Sequence, residues 1–302
     1  MSRPSRMARL GALALLGVAV AGCVDVPVQS LTPTLAPTPE PTPVTTTYQL
    51  GTTVWYEGLL VHVDSATATL DKRGGPVEVS LRFENPGDND AELNARILLQ
   101  VDAGGTEPPV APTRDSKVPI APAHGTAAAV LTYELQRVAS AEKAVLLIGE
   151  APNHVARIPF TSAGGEAVVF EPVELVLSGR GDARNLRITL RTGLLRWDLP
   201  DYSQELAADV EVLTLTYDVT YLGSFTGGFA FTGDNVALRL PDGTLVEARP
   251  DGHSQSIELI AAQQTKKGLF SRFEIPSGTT GKLQLVVRSG SATKGIRFTI
   301  SG

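Results

Sequence analysis

From Tyr48 onward, apolar and polar residues alternate in short runs separated by Gly, Pro, Asn and Asp. In "VEVSLRFE" Val77, Val79, Leu81 and Phe83 fall on one side, and Glu78, Ser80, Arg82 and Glu84 on the other. A period of two marks a half-buried strand, and Asn85-Pro86-Gly87-Asp88 supplies the turn chemistry that ends it. Leu186, Ile188 and Leu190 alternate in the same way with Arg187, Thr189 and Arg191, and the pattern recurs at Leu213, Leu215, Tyr217, Val219 and Tyr221. "VALRLPDGTLVEA" reads as a hairpin turning at Pro241-Asp242-Gly243, and "LQLVV" and "IRFTI" supply the last strands. A helical period is hard to find. Ser140 to Ile148 is the best candidate, and it is short and rich in small residues. The prediction is an all-β protein.

The chain also resembles itself. "GTTVWYEGLLVHVDS" from Gly51 aligns without gaps with "GEAVVFEPVELVLSG" from Gly165, "VEVSLRFENPG" matches "LTLTYDVTYLG" in pattern, and "ARIPFT" matches "GIRFTI". Three landmarks in the same order predict two copies of one β domain, at 48–162 and 163–302, joined near Ser162-Ala163-Gly164-Gly165. The second copy is the longer, with an insertion at 193–209. Short strands with frequent turn signals fit two-sheet sandwiches, with closed barrels as the alternative.

"GTTVWYEGLLVHVDSA", a strand ending in "FENPGDNDAEL" and then "VLTYEL" together resemble the telokin-like, immunoglobulin-like domains of bacterial extracellular lipoproteins. The resemblance covers 50–161 and, more loosely, 165–302, where Tyr221-Leu222-Gly223 lacks the family's turn Asn. It implies two tandem immunoglobulin-like β-sandwiches and an extracellular address. It carries no catalytic residue.

The N-terminus has a different character. Arg3, Arg6 and Arg9 precede an apolar stretch from Leu10 to Val20. That stretch is too short to span a bilayer, which needs about 20 residues, and it reads as a signal peptide over 1–22. Val20-Ala21-Gly22-Cys23 resembles the bacterial lipobox, which implies cleavage before Cys23 and its acylation, palmitate being the expected kind of chain. Cys23 is the only cysteine, so no disulfide is available to the body. Residues 23–47 then form a linker. Its "SLTPTLAPTPEPTPVTTT" carries five prolines and seven threonines, which predicts an extended, disordered tether that joins no sheet.

Charge excludes one partner class. The chain has 26 Lys and Arg against 32 Asp and Glu, and removing the leader's three arginines takes the balance to near −9. A nucleic-acid ligand rewards clustered basic residues and is not expected. The membrane would be contacted through the N-terminal lipid, and a further envelope or extracellular partner stays unidentified.

Motifs for chemistry are few. His62, His124, His154 and His253 have no metal-like spacing, and no nucleophile elbow or phosphate loop is present. His62 is expected on a solvated strand face. Glu84, Asp88, Asp90 and Glu92 could offer oxygen ligands to Ca²⁺, although a solvated acidic turn accounts for them. Arg180-Gly181-Asp182 is expected in an exposed hairpin turn. In the insertion, Trp197, Asp198 and Tyr202 form a candidate contact loop, with internal packing as the competing reading. The expectation is therefore a lipid-anchored cell-envelope protein on the extracellular or periplasmic side. It is read as a binding or structural-interaction module, not an enzyme, with no cofactor and no metal. An envelope-polymer hydrolase and a Ca²⁺- or ligand-sensing accessory protein are the alternatives.

Overall fold

The computed structural model describes residues 42–102, 104–250 and 257–301. The signal peptide, Cys23, His253 and the tether up to residue 41 lie outside the described residues. The rest is an all-β fold of small antiparallel sheets, with helix confined to three short 3₁₀ turns among the described residues. No helix among those residues is long and apolar enough to cross a membrane.

The first half contains seven strands: β1 (Val44–Tyr56), β2 (Leu59–Leu70), β3 (Gly74–Glu84), β4 (Ile97–Gln100), β5 (Thr126–Gln136), β6 (Val145–Ile148) and β7 (Ala156–Pro159). One sheet has the order β1-β2-β3-β5, the other β4-β6-β7. Alternation does what the sequence pattern asks: Val77, Val79, Leu81 and Phe83 are buried, and join Ile97, Leu99, Leu146, Ile148 and Ile158 from the other sheet in one core.

Three expectations are corrected here. The tether ends earlier than its composition suggests, because Val44, Thr45, Thr46 and Thr47 already pair with Leu70, Thr69, Ala68 and Thr67. Pro43 is the last residue without an N–H, and the β-branched run behind it suits a strand. Thr45 and Thr47 also meet Thr69 and Thr67 hydroxyl to hydroxyl, at 3.1 and 3.3 Å. The helical candidate Ser140–Ile148 is instead a turn followed by β6. Leu146 and Ile148 face the main core, while Val145 and Leu147 face a small cluster with Leu98. A strand buried on both sides shows no alternation, so a run of apolar residues is ambiguous. His62 does face away from the core, but it lies between Thr53 and Glu84, at 2.9 and 3.2 Å, with its side chain only 17% exposed.

The second half repeats the scheme with additions. Its strands are β8 (Val173–Ala183), β9 (Leu186–Arg196), β10 (Asp198–Leu199), β11 (Gln204–Glu205), β12 (Val210–Tyr221), β13 (Phe229–Phe231), β14 (Val236–Arg239), β15 (Leu245–Glu247), β16 (Glu258–Ile260), β17 (Thr265–Pro276), β18 (Gly281–Ser289) and β19 (Ala292–Ile300). The sheet order β17-β12-β9-β8 reproduces β5-β3-β2-β1, and β14-β18-β19 reproduces β4-β6-β7, with β15 added outside β14. A second core is built from Leu186, Ile188, Leu215, Tyr217, Phe273, Leu285, Ile296 and their neighbours.

Two of the three repeat landmarks match strand for strand: β3 with β12 and β7 with β19. The ungapped alignment of 51–65 with 165–179 is displaced, because it sets β2 opposite β8, whereas the pairing order sets β1 opposite β8. Residues 165–172 form no strand of the second half. Val168 bridges Arg157, the Phe170 carbonyl accepts from Trp55 N–H at 2.9 Å, and Phe170 packs on the first core. The first core therefore reaches beyond residue 162. Arg180-Gly181-Asp182 is also relocated, since it lies inside β8 with Gly181 opposite Ile188, and Asp182 holds Arg187 through two bonds of 2.9 and 2.8 Å.

Phe83→Ala should lower the stability of the first core by about 3–5 kcal/mol, the usual cost of emptying a fully buried aromatic site. Chemical denaturation followed by a probe in the first half checks this, and a change under 1 kcal/mol would contradict the packing described.

Candidate functional site at the joint between the halves

The insertion begins later than the sequence suggests. Residues 193–196 complete β9, so the excursion is 197–209. At the equivalent place in the first half, β2 and β3 are joined by the tight turn Asp71-Lys72-Arg73. In the second half that connection grows into a knob: the two-residue hairpin β10–β11 around a 3₁₀ turn at Pro200–Tyr202. The knob docks on the first half.

Its seat is the turn between β1 and β2. Glu57 and Gly58 both have positive φ, 50° and 87°, as a two-residue hairpin of the type I′ family requires. Glycine is needed at 58 for a second reason: a Cβ there would lie 2.9 Å from Pro200 Cβ. The Gly58 N–H donates to Asp198 Oδ2 at 2.6 Å. Asp198 also accepts from Arg196, Nε to Oδ1 at 2.7 Å and Nη2 to Oδ2 at 3.0 Å. Arg196 in turn lies over the Trp55 ring, 5.0 Å from its centroid. Fork geometry and a ring face are the contacts a guanidinium makes well.

The other side of the knob meets the 150–154 loop. Asn153 bridges Ala207, and Ala208 N–H donates to the Pro152 carbonyl at 2.9 Å. His154 is buried, with Nδ1 3.1 Å from the Leu206 carbonyl, which can only accept, so that nitrogen carries the proton. Tyr56 donates its hydroxyl proton to the His154 carbonyl at 2.5 Å. Phe170 sits between the rings of His154 and Trp197, with centroids 5.1 and 5.7 Å away.

The electrostatics are unusual for a structural contact. Glu57, Asp198 and Glu205 are all buried here, and Arg196 is the guanidinium among them. The Glu57 carboxylate accepts from the amides of Asn94 and Ala95, at 2.6 and 3.3 Å. Burial nevertheless pushes its carboxyl upward. Burial, then the charge of Asp198, pushes Glu205 up to about 9. Burial lowers His154 and so favours its neutral form. Glu205 Oε1 and His154 Nε2 have no hydrogen-bond partner.

The candidate contact residues therefore divide. Trp197 and Asp198 turn inward and belong to the joint, while Tyr202 is 44% exposed. The sequence reading missed Glu57, Gly58, His154 and Glu205. "WYEGLL" carried a signal for the turn, a polar-Gly pair between apolar runs, but nothing local marked what would dock on it.

Outside the packed contact, a cleft of about 440 Å³ opens between Trp55, Glu57 and Gly58, the loop 85–91, and Arg196, Pro200, Asp201 and Ser203. The loop is stiffened by Asn85, whose Nδ2 donates to the carbonyls of Asn89 and Ala121 and whose Oδ1 accepts from Gly87 N–H. Asp88 bonds His124 at 2.9 Å, and Asp90 accepts from Ala123 N–H at 3.0 Å. Among the described residues no three His, Cys, Asp or Glu side chains converge as a metal ion would need.

Arg196→Met should cost about 3 kcal/mol, because the buried Asp198 would lose the cation that bonds both of its oxygens. Asp198→Leu added to that variant should recover part of the loss. Denaturant midpoints of the two variants check this, and an unchanged midpoint for Arg196→Met would contradict the role given to the pair.

No protein-family model matches the chain, and no curated protein matches it. Among solved structures, the crystal structure of the conserved domain protein from Bacillus anthracis is similar at a TM-score of 0.26 and 11% identity, over 84% of this chain and 91% of that one. A likeness of that size carries no argument about this chain.

Proposed function

We propose that the chain is a lipid-anchored cell-envelope protein whose body is a binding or structural-interaction module. The anchor is the acylated Cys23, and residues 23 to 43 are the tether. The body is a pair of tandem immunoglobulin-like β-sandwiches facing the extracellular or periplasmic side. The resemblance of Val20-Ala21-Gly22-Cys23 to a lipobox supports the anchor. The strand order supports the sandwich reading. With β2, β3 and β5 read as strands A, B and E, and β4, β6 and β7 as C, F and G, the sheet orders are those that an immunoglobulin arrangement with β1 added outside A calls for. In the second half β9, β12 and β17 with β14, β18 and β19 follow the same scheme, and β15 takes the place beside C.

The observation that carries a non-catalytic reading is how the buried acids are used. Asp198 is tied to Arg196 and Gly58, and Glu57 to the amides of Asn94 and Ala95. The Asp198 bond to Gly58 spans the two halves, and the Glu57 bonds fix the turn within the first half. Glu57, the one cleft-lining carboxyl pushed up by burial, is the residue a hydrolase reading would need as its acid. Its attachment to the 94–95 backbone favours the structural role. The cleft beside the joint is the proposed contact surface, with Tyr202 close by on the exposed face of the knob.

Cys23→Ala should move the protein from the membrane fraction to the soluble fraction and abolish incorporation of labelled fatty acid. Membrane retention without acyl label would overturn the anchor.

A further inference from the structure

We propose that the joint is an acid-locked hinge: the knob at 197–209 seats on the first half while the Glu205 carboxyl is protonated, and loss of that proton releases it. The geometry is a buried carboxyl with nothing to neutralise it. The Glu205 side chain is 2% exposed. Its Oε2 lies 3.5 Å from the Glu57 N–H, a long bond, and its Oε1 has no hydrogen-bond partner. Oε1 is 3.5 Å from His154 Nδ1, but that nitrogen already donates to the Leu206 carbonyl.

The surrounding groups come from every element packed on the knob. Tyr56 and Glu57 face it from the end of β1 and the turn after it, and His154 from the loop after β6, where Glu150 acts on Tyr56. Arg196 and Asp198 come from β9 and β10, and Asp209 and Glu211 from the start of β12. Arg96 pairs with Glu150, and Arg272 of β17 pairs with Asp201 on the knob, so the guanidinium beside the buried Asp198 and Glu205 is Arg196, already engaged twice by Asp198, and the imidazole there is one that burial keeps neutral. A proton on Glu205 removes the charge that the site cannot balance.

The sign follows from linkage. The closed joint keeps the Glu205 proton up to about pH 9, whereas a released, hydrated carboxyl gives it up in the ordinary carboxylate range. Closure is thus favoured most at low pH and weakens as pH rises toward 9. His154 acts in the opposite sense: its lowered value favours closure while it is neutral, and that contribution is lost as pH falls below its ordinary value near 6.5. Above about pH 6.5 the His154 contribution is complete, and the slope comes from the raised carboxyls of the joint, Glu205 foremost with Glu57 acting in the same sense. The opening constant should then rise with pH, at most about tenfold per unit. The inference stands on the joint and is independent of the anchor.

Hydrogen exchange on the full chain between pH 6.5 and 9, corrected for intrinsic rates, reads it. The reporters are the amides of Gly58, His154 and Ala208, which bond across the joint to Asp198, Leu206 and Pro152. Their opening should increase severalfold per pH unit in the wild type and far less in Glu205→Gln, while core amides such as Val79 and Leu215 show no such slope. A flat wild-type profile, a slope that survives undiminished in Glu205→Gln, or an equal slope in the core amides would overturn the proposal. Should Glu205→Gln not fold, a ¹³C titration of the wild-type Glu205 carboxyl decides: a midpoint near 9 supports the hinge, and one in the ordinary carboxylate range sinks it.

Discussion

Asp198 is the point on which the relation of the two halves depends. One of its oxygens accepts from a backbone N–H in the first half, and both accept from Arg196 in the second. A buried carboxylate is stable only where such donors converge. Its neighbours are constrained in consequence. Gly58 must present its N–H from a left-handed turn and leave room for Pro200, and Trp55 must offer its face to Arg196. Each of these contacts crosses between two cores that otherwise share no strand pairing within a sheet.

The duplicated scheme shows how such a joint can arise without disturbing either core. Both halves use the same strand order in their main sheets, and the difference that builds the joint lies in one connection. The first half closes it with Asp71-Lys72-Arg73, and the second extends it into the knob. A similar substitution occurs at the opposite turn. In the first half Asn85 holds the chain leaving β3 through its own side chain. The second half has Tyr221 there, and Gln263 supplies the missing donor from another loop, bonding the carbonyls of Leu222 and Gly223 at 2.6 and 3.2 Å. The hydrogen-bonding need of the turn is preserved while the residue that meets it moves.

On the proposed anchor, a defined angle between two bodies controls how far and in which direction the distal surface is displayed. A joint of packed rings and buried acids is stiffer than a Gly-rich linker, and it is also chargeable. Apolar packing alone would have been insensitive to pH, whereas carboxyl groups tie orientation to protonation. The cleft shares Trp55, Glu57, Gly58 and Arg196 with the joint, so its shape changes if the joint opens.

The all-β class, the buried faces of β3, β9 and β12 and the hairpin at 241–243 were legible in the sequence, because strand side chains alternate and local turn residues interrupt them. The doubling was legible for the same reason at β3 and β12 and at β7 and β19. Where both faces of a strand are covered, as at β6, or where a segment serves its neighbour's core, as at Phe170, the local pattern misled. The joint was not legible at all. Trp197 and Asp198 stood out as a loop, but Asp198 bonds Gly58, 140 positions earlier, Trp197 packs on Phe170 of the first core, and Glu205 reads locally as a solvated acid. Local pattern determines which way a side chain points from its own strand. Only the packing of one half on the other decides which charges lose their water, and that loss gives Glu57, Asp198 and Glu205 their character.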